Sequence, residues 1–306
     1  MIDASTTWLP DRLLSGYEST KLDFPPDYDG PVVATLVRKS GGSPHKRAVL
    51  YVHGFVDYFF QAHMAERFEE EGWAFYALDL RKHGRSLLPD QHPCFCKRID
   101  EYFPDITRAI GIVKEAVEGP LLLAGHSTGG LIAALYADHG EKKDAIAALW
   151  LNSPFFDFKV GPADRFKLGM AAATGVFMPF MKDPKGLRRE YPISLHKDYE
   201  GEWDFDLKLK PIEGFPIYFG WVGAVLAAHS KAHAGLTIAC PALVMHSDKA
   251  DIVLGWRDIA KWAPGIGKDV TVQQFPGGLH DLVLSKVAIR EDVFAKLFAW
   301  TKARFP

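Results

Sequence analysis

Gly125-His126-Ser127-Thr128-Gly129 has the spacing G-x-S-x-G, which places a serine hydroxyl on a sharp turn between a strand and a helix. The apolar run Pro120 to Ala124 enters the turn and Leu131 to Leu135 begins a helical pattern after it. The two glycines let the turn close where side chains would strike neighbouring strands, so Ser127 is expected to project from a strained tip. A serine hydroxyl is a poor nucleophile until a base takes its proton. The chain holds twelve histidines. His126 adjoins Ser127, so its side chain is expected to point away from the tip. His280 lies in Gly277-Gly278-Leu279-His280-Asp281, after the last apolar run, in a loop able to return to the sheet edge. An acid must hold the imidazole in the right tautomer and stabilise its charged form. Asp248 and Asp251 both follow the run Pro241 to Met245. Asp251 has the longer reach back toward His280, with Asp248 as the alternative, while Asp281 is expected to fix its own loop. The order Ser127, Asp251, His280 is that of a nucleophile-elbow hydrolase.

Attack on an acyl carbonyl creates an oxyanion that needs preorganised N–H donors. The backbone amide of Thr128, next after the nucleophile, is one expected donor. The loop His53-Gly54-Phe55-Val56 should supply the other through the amide of Phe55, with Gly54 allowing close approach. His53 is expected to be a structural, hydrogen-bonded histidine.

The elements that must hold these groups are legible as alternating patterns. Ala48–Val52, Trp73–Leu80, Pro120–Ala124, Ala145–Leu151, Pro241–Met245 and Val270–Phe275 are short apolar runs ending at turn residues. Such runs suit strands buried on both faces. Helical periodicity falls between them, at 61–71, 102–117, 131–139 and 287–305, which predicts a doubly wound α/β sheet. Tyr17–Phe24 and Val32–Lys39 are expected to form an antiparallel hairpin leading into it. From Phe155 to about Ile238 the rhythm stops, and the segment is rich in aromatics and Met. It is expected to be a helical cap inserted after the sixth strand, its aromatics mostly forming a core and a minority lining an apolar pocket. The expected division is a core portion over 1–154, a cap over 155–238 and the rest of the core over 239–306.

Composition narrows the class. Thirty-six Lys and Arg against 38 Asp and Glu leave a formal charge of −2, which gives no reason to expect a nucleic-acid partner. No apolar run approaches a membrane span and the N-terminal residues lack a signal-peptide pattern. Three cysteines, Cys94, Cys96 and Cys240, make no disulfide framework and no zinc-type spacing. A cytoplasmic enzyme without metal or organic cofactor is the expectation; the serine chemistry above, with the aromatic segment after Phe155, leads to the expectation of a small-molecule apolar ester as substrate.

The quoted motifs, with Asp79-Leu80-Arg81-Lys82-His83-Gly84-Arg85-Ser86, resemble the α/β-hydrolase superfamily. Within it they are most similar to the monoacylglycerol lipase, lysophospholipase and serine-aminopeptidase-like branch. The resemblance runs from about residue 30 to the C-terminus. It implies an α/β-hydrolase fold, with a mostly parallel sheet flanked by helices on both faces, and an acid at the position of Asp251. Lipases of that branch carry a second small residue and a His after His-Gly, where this chain has Phe55-Val56-Asp57-Tyr58. Related epoxide hydrolases and dehalogenases place Asp where this chain has Ser127. The alternatives left open are an aminopeptidase-like amide hydrolase and a ligand-binding protein on a hydrolase fold.

Overall fold

The computed structural model describes residues 6–183 and 186–306. The first five residues of the expected N-terminal core portion, and 184–185 of the expected cap, lie outside the described residues. The described strands are β1 (Leu9–Pro10), β2 (Tyr17–Asp27), β3 (Gly30–Lys39), β4 (Arg47–Val52), β5 (Trp73–Asp79), β6 (Leu121–His126), β7 (Ile146–Asn152), β8 (Ala242–Ser247) and β9 (Val270–Phe275). They form one sheet in the order β1-β2-β3-β5-β4-β6-β7-β8-β9. The first three strands and the β3–β5 seam are antiparallel, and every pairing from β5 to β9 is parallel.

The β2–β3 hairpin is longer than expected because β2 runs through Pro25 and Pro26. The register breaks between Phe24 and Asp27, so the prolines sit where the ladder does not require their missing N–H groups.

Alternate side chains of the central strands feed two cores. Leu50, Val52, Leu121 and Leu123 join one cluster with α2 (Phe103–Ala116) and α3 (Thr128–His139). Val49, Tyr51, Leu122 and Ala124 face the other, with α1 (Ala62–Glu70) and α8 (Val287–Lys302). Burial on both faces is why these strands show no polar alternation. The chain leaves β4 for β5 on one side and returns for β6 on the other, so the loops after β4 and β6 meet at a switch point, where open α/β sheets build sites.

Between β7 and β8 lie α4 (Pro162–Phe177), α5 (Glu190–Leu195) and α6 (Phe219–His233); α7 (Trp256–Trp262) follows β8. The insertion follows the sixth expected strand, which is β7 here because the two-residue β1 precedes the hairpin. Trp221, Val222, Val225 and Ala228 of α6 share the apolar cluster of α3, so α6 is seated on the sheet domain. The expectation that the segment's aromatics and Met mostly form a core needs correcting for α4 and the turn after it. Phe166 is 70% exposed and Phe177 87%, and Met170, Met178 and Met181 are exposed as well. The helix α4 packs against α6, and nothing among the described residues covers its outer face.

Candidate active site

At the end of β6 the backbone of Ser127 adopts φ 52° and ψ −118°, a strained conformation that an L-residue keeps only where its surroundings impose it. The glycines make the turn possible. A Cβ on Gly125 would come within 2.5 Å of the Gly129 carbonyl oxygen, and one on Gly129 would overlap the carbonyls of Val52 and His53. The Ser127 N–H donates to the Asn152 carbonyl at 3.0 Å, which ties the tip to the end of β7.

Two loops bring partners to this hydroxyl. His280, after β9, has Nε2 2.9 Å from Ser127 Oγ. Its Nδ1 lies 2.9 Å from Asp251 Oδ2. With the Nδ1 proton donated to the carboxylate, Nε2 presents its lone pair to the serine O–H. The other oxygen of Asp251 accepts from the amides of Val253 at 2.7 Å and Leu254 at 2.9 Å. Burial pushes the Asp251 carboxyl up, but His280 and those amides outweigh it and hold it below the ordinary carboxylate range. Asp248 instead accepts from the amides of Ala250 and Gly277, and so pins its own loop to the one after β9.

The amide of Thr128 opens α3, where the first helical N–H groups have no partner within the helix and the dipole is positive. Phe55, on the loop after β4, lines the same cavity as Ser127, Thr128 and His280. Its ring stacks on Trp221 of α6 with centroids 4.1 Å apart. His53 is held by hydrogen bonds: Leu80 N–H donates to Nε2 at 3.1 Å, leaving the Nδ1 proton for the Gly54 carbonyl at 2.8 Å.

His126 departs from the expectation that it points away. Its ring lies 4.8 Å from the His280 ring and lines the cavity, because Nδ1 donates to the Asn152 carbonyl at 3.1 Å. Burial pushes its pKa down, beyond what nearby Asp281 restores.

Several supporting residues lie outside the motifs that the sequence displays. Asn152 Nδ2 donates to Asp281 Oδ1 at 2.7 Å, so Asp281 anchors the His280 loop to the end of β7. The Tyr191 hydroxyl accepts from the Asp281 N–H, and Lys159 Nζ donates to the Asp251 carbonyl at 2.8 Å. Asn152 had a signal in its place at a strand end. Tyr191 and Lys159 sit in the segment without periodicity and had none.

A cavity of about 610 Å³ opens over Ser127. Its walls include Phe155, Phe158, Ile212, Ile217 and Val253, so a bound group meets mostly hydrocarbon. Among the described residues, no His, Cys, Asp and Glu cluster is arranged to hold a metal, and no helix is long and apolar enough to cross a membrane.

A soluble variant of the monoglyceride lipase from Saccharomyces cerevisiae superimposes with a TM-score of 0.70 at 18% identity, over 94% of this chain and 96% of that one. The monoacylglycerol lipase of Paleococcus ferrophilus gives 0.67 at 21% identity, covering 89% and 99%. A thermostable carboxyl esterase from Bacillus coagulans gives 0.69 at 19% identity, covering 93% and 98%. At these identities the likeness establishes the α/β-hydrolase fold. No curated protein matches the chain in sequence. The family model described as serine aminopeptidase, S33, matches residues 43–286, well over half the chain and all of the loops that meet at Ser127, and the chain therefore belongs to that α/β-hydrolase family.

Proposed function

We propose that the protein is a serine hydrolase of carboxylic esters with an apolar acyl group. Ser127 is the nucleophile, His280 the general base and acid, and Asp251 the carboxylate that orients it. The observation that carries this reading is the unbroken hydrogen-bond path from Ser127 Oγ through His280 to Asp251, 2.9 Å at each step. Ser127 Oγ attacks the acyl carbon as His280 Nε2 takes its proton. The oxyanion is received by the amides of Phe55 and Thr128, and the proton passes to the leaving alcohol. Water, deprotonated by the same imidazole, then releases the acid from the acyl-enzyme.

The lipase and esterase neighbours support the ester, and the hydrocarbon walls support an apolar acyl group. The segment 155–238 is proposed as the cap that roofs this cavity, between core portions 1–154 and 239–306. Cys94, Cys96 and Cys240 are all free, which supports a reducing compartment such as the cytoplasm.

The test pairs a fluorophosphonate probe with turnover of p-nitrophenyl esters and aminoacyl nitroanilides. Labelling and ester turnover, both abolished by Ser127→Ala, are expected. Turnover of the anilides in place of the esters would replace the ester reading with an aminopeptidase. Absence of labelling and of all turnover in the parent would leave a binding protein.

A further inference from the structure

Outside the path from Ser127 to Asp251, the cavity wall holds a second buried charge pair. Lys210, from the segment between β7 and β8, places Nζ 2.6 Å from Asp57 Oδ1, with both side chains more than nine-tenths buried. Asp57 stands two residues after Phe55, on the loop that carries the proposed oxyanion amide. The ammonium also faces the rings of Phe60 and Phe205 at 5.0 and 5.3 Å. Beside it, the Tyr58 hydroxyl accepts from the Asp206 N–H at 2.7 Å, and the Phe60 and Phe205 rings lie 5.1 Å apart. The loop after β4 is thus clasped along its length by the inserted segment.

That loop needs holding. Val56, between Phe55 and Asp57, sits at φ 49°, a left-handed conformation that a β-branched residue does not adopt of its own accord. Desolvating two charges is costly, and a packed apolar pair would fasten the loop as firmly. What the ion pair adds is a fixed position, since ammonium and carboxylate must meet at one separation.

We propose that Lys210 is a positioning residue: through Asp57 it sets the loop so that the Phe55 amide points at the oxyanion, coupling the seating of the inserted segment to turnover. The kinetic consequence rests on the ester-hydrolase reading; the effect on the loop does not.

The experiment compares the full-length parent with Lys210→Met and with the double variant Asp57→Asn/Lys210→Met. Lys210→Met strands a buried carboxylate and is expected to melt earlier. The double variant removes that lone charge and recovers most of the melting temperature. With p-nitrophenyl butyrate, kcat is expected to fall about 10- to 100-fold in both variants while KM stays within about threefold. Amide hydrogen exchange over 53–60 is expected to speed up about tenfold or more in the double variant, at matched global stability. Parental kcat in the double variant would overturn the proposal, since the pair would then serve stability alone. A raised KM with kcat intact would also overturn it, making Lys210 a substrate contact. If the parent hydrolyses no ester, the function reading fails by itself and exchange decides: unchanged protection over 53–60 ends the proposal.

Discussion

The hydroxyl of Tyr191, on α5, accepts a hydrogen bond from the Asp281 N–H at 2.9 Å, while its ring meets the His280 imidazole edge-on, with centroids 5.5 Å apart. One side chain of the inserted segment thus touches both the proposed base and the residue that anchors its loop. Tyr191→Phe keeps the ring and leaves a buried N–H unpaired, which costs about 1–3 kcal/mol. The expected result is a lower melting temperature with kcat reduced by up to about tenfold, because imidazole aim is lost before contact is. Tyr191→Ala removes both supports and should lower kcat further than Tyr191→Phe. Equal kcat in the parent and both variants would show that His280 needs no support from α5.

The two aspartates after β8 have separate tasks. Asp251 accepts from His280, whereas Asp248 accepts from the amides of Ala250 and Gly277. Asp251→Asn turns the hydrogen bond around and favours the wrong imidazole tautomer, so kcat is expected to fall about 10³- to 10⁴-fold. Asp248→Asn keeps an acceptor oxygen for both amides, and kcat should stay within about threefold, with a stability change of about 1 kcal/mol. A reversal of the two effects in ester turnover would reassign the acid.

Crowding at the elbow has a consequence for stability that is independent of activity. A Cβ on Gly129 would overlap the carbonyl oxygens of Val52 and His53, which are backbone atoms of a central strand and its exit. They cannot swing aside as a side chain can. Gly129→Ala is therefore expected to destabilise by about 3 kcal/mol or more, beyond the usual range for a point substitution. Urea unfolding measures it, and a loss under 1 kcal/mol would mean that α3 can shift away from β4. Gly169, whose Cβ position has no neighbour within 4 Å, lies inside exposed α4. Gly169→Ala should be neutral or slightly stabilising, since alanine favours a helix over glycine.

The parallel core was readable because each strand is an apolar run cut off by turn residues, and Ser127, Asp251 and His280 all stand just past such runs. The antiparallel β2 ran further than its pattern, because Pro25 and Pro26 look like a terminus and a bulge absorbs them. The clasp of Lys210 on Asp57 had no signal. A lysine in aperiodic sequence is ordinarily solvated, and only the fold brings it beside a carboxylate 153 positions away. Phe166 and Phe177 misled in the opposite direction. Aromatic content favours burial on average, but α4 has a packing partner on one side alone.

Histidines held below their ordinary pKa by burial, His63, His83, His126, His229 and His246, set the acid side of the stability profile, and two of them show how. His83 donates Nδ1–H to the Arg81 carbonyl at 2.8 Å and His229 donates Nε2–H to the Phe155 carbonyl at 2.8 Å. Burial pushes their pKa values down, to about 3 and about 4 respectively. Unfolded, each would titrate near the ordinary value of 6.5. Between that value and the folded one, the unfolded chain binds more protons than the native protein. Stability is therefore full above pH 6.5 and falls as the pH drops, by up to ~1.4 kcal/mol per pH unit for each such group. Carboxylates held low, such as Asp251, add their loss only below about pH 4, so the interval from pH 6.5 to 4.5 belongs mainly to the histidines. Melting temperatures should decline steadily across that interval, and His229→Gln, which keeps a donor without the titration, should flatten part of the decline. A parent profile level from pH 7 to 4.5 would show that these imidazoles accept protons without leaving the folded state.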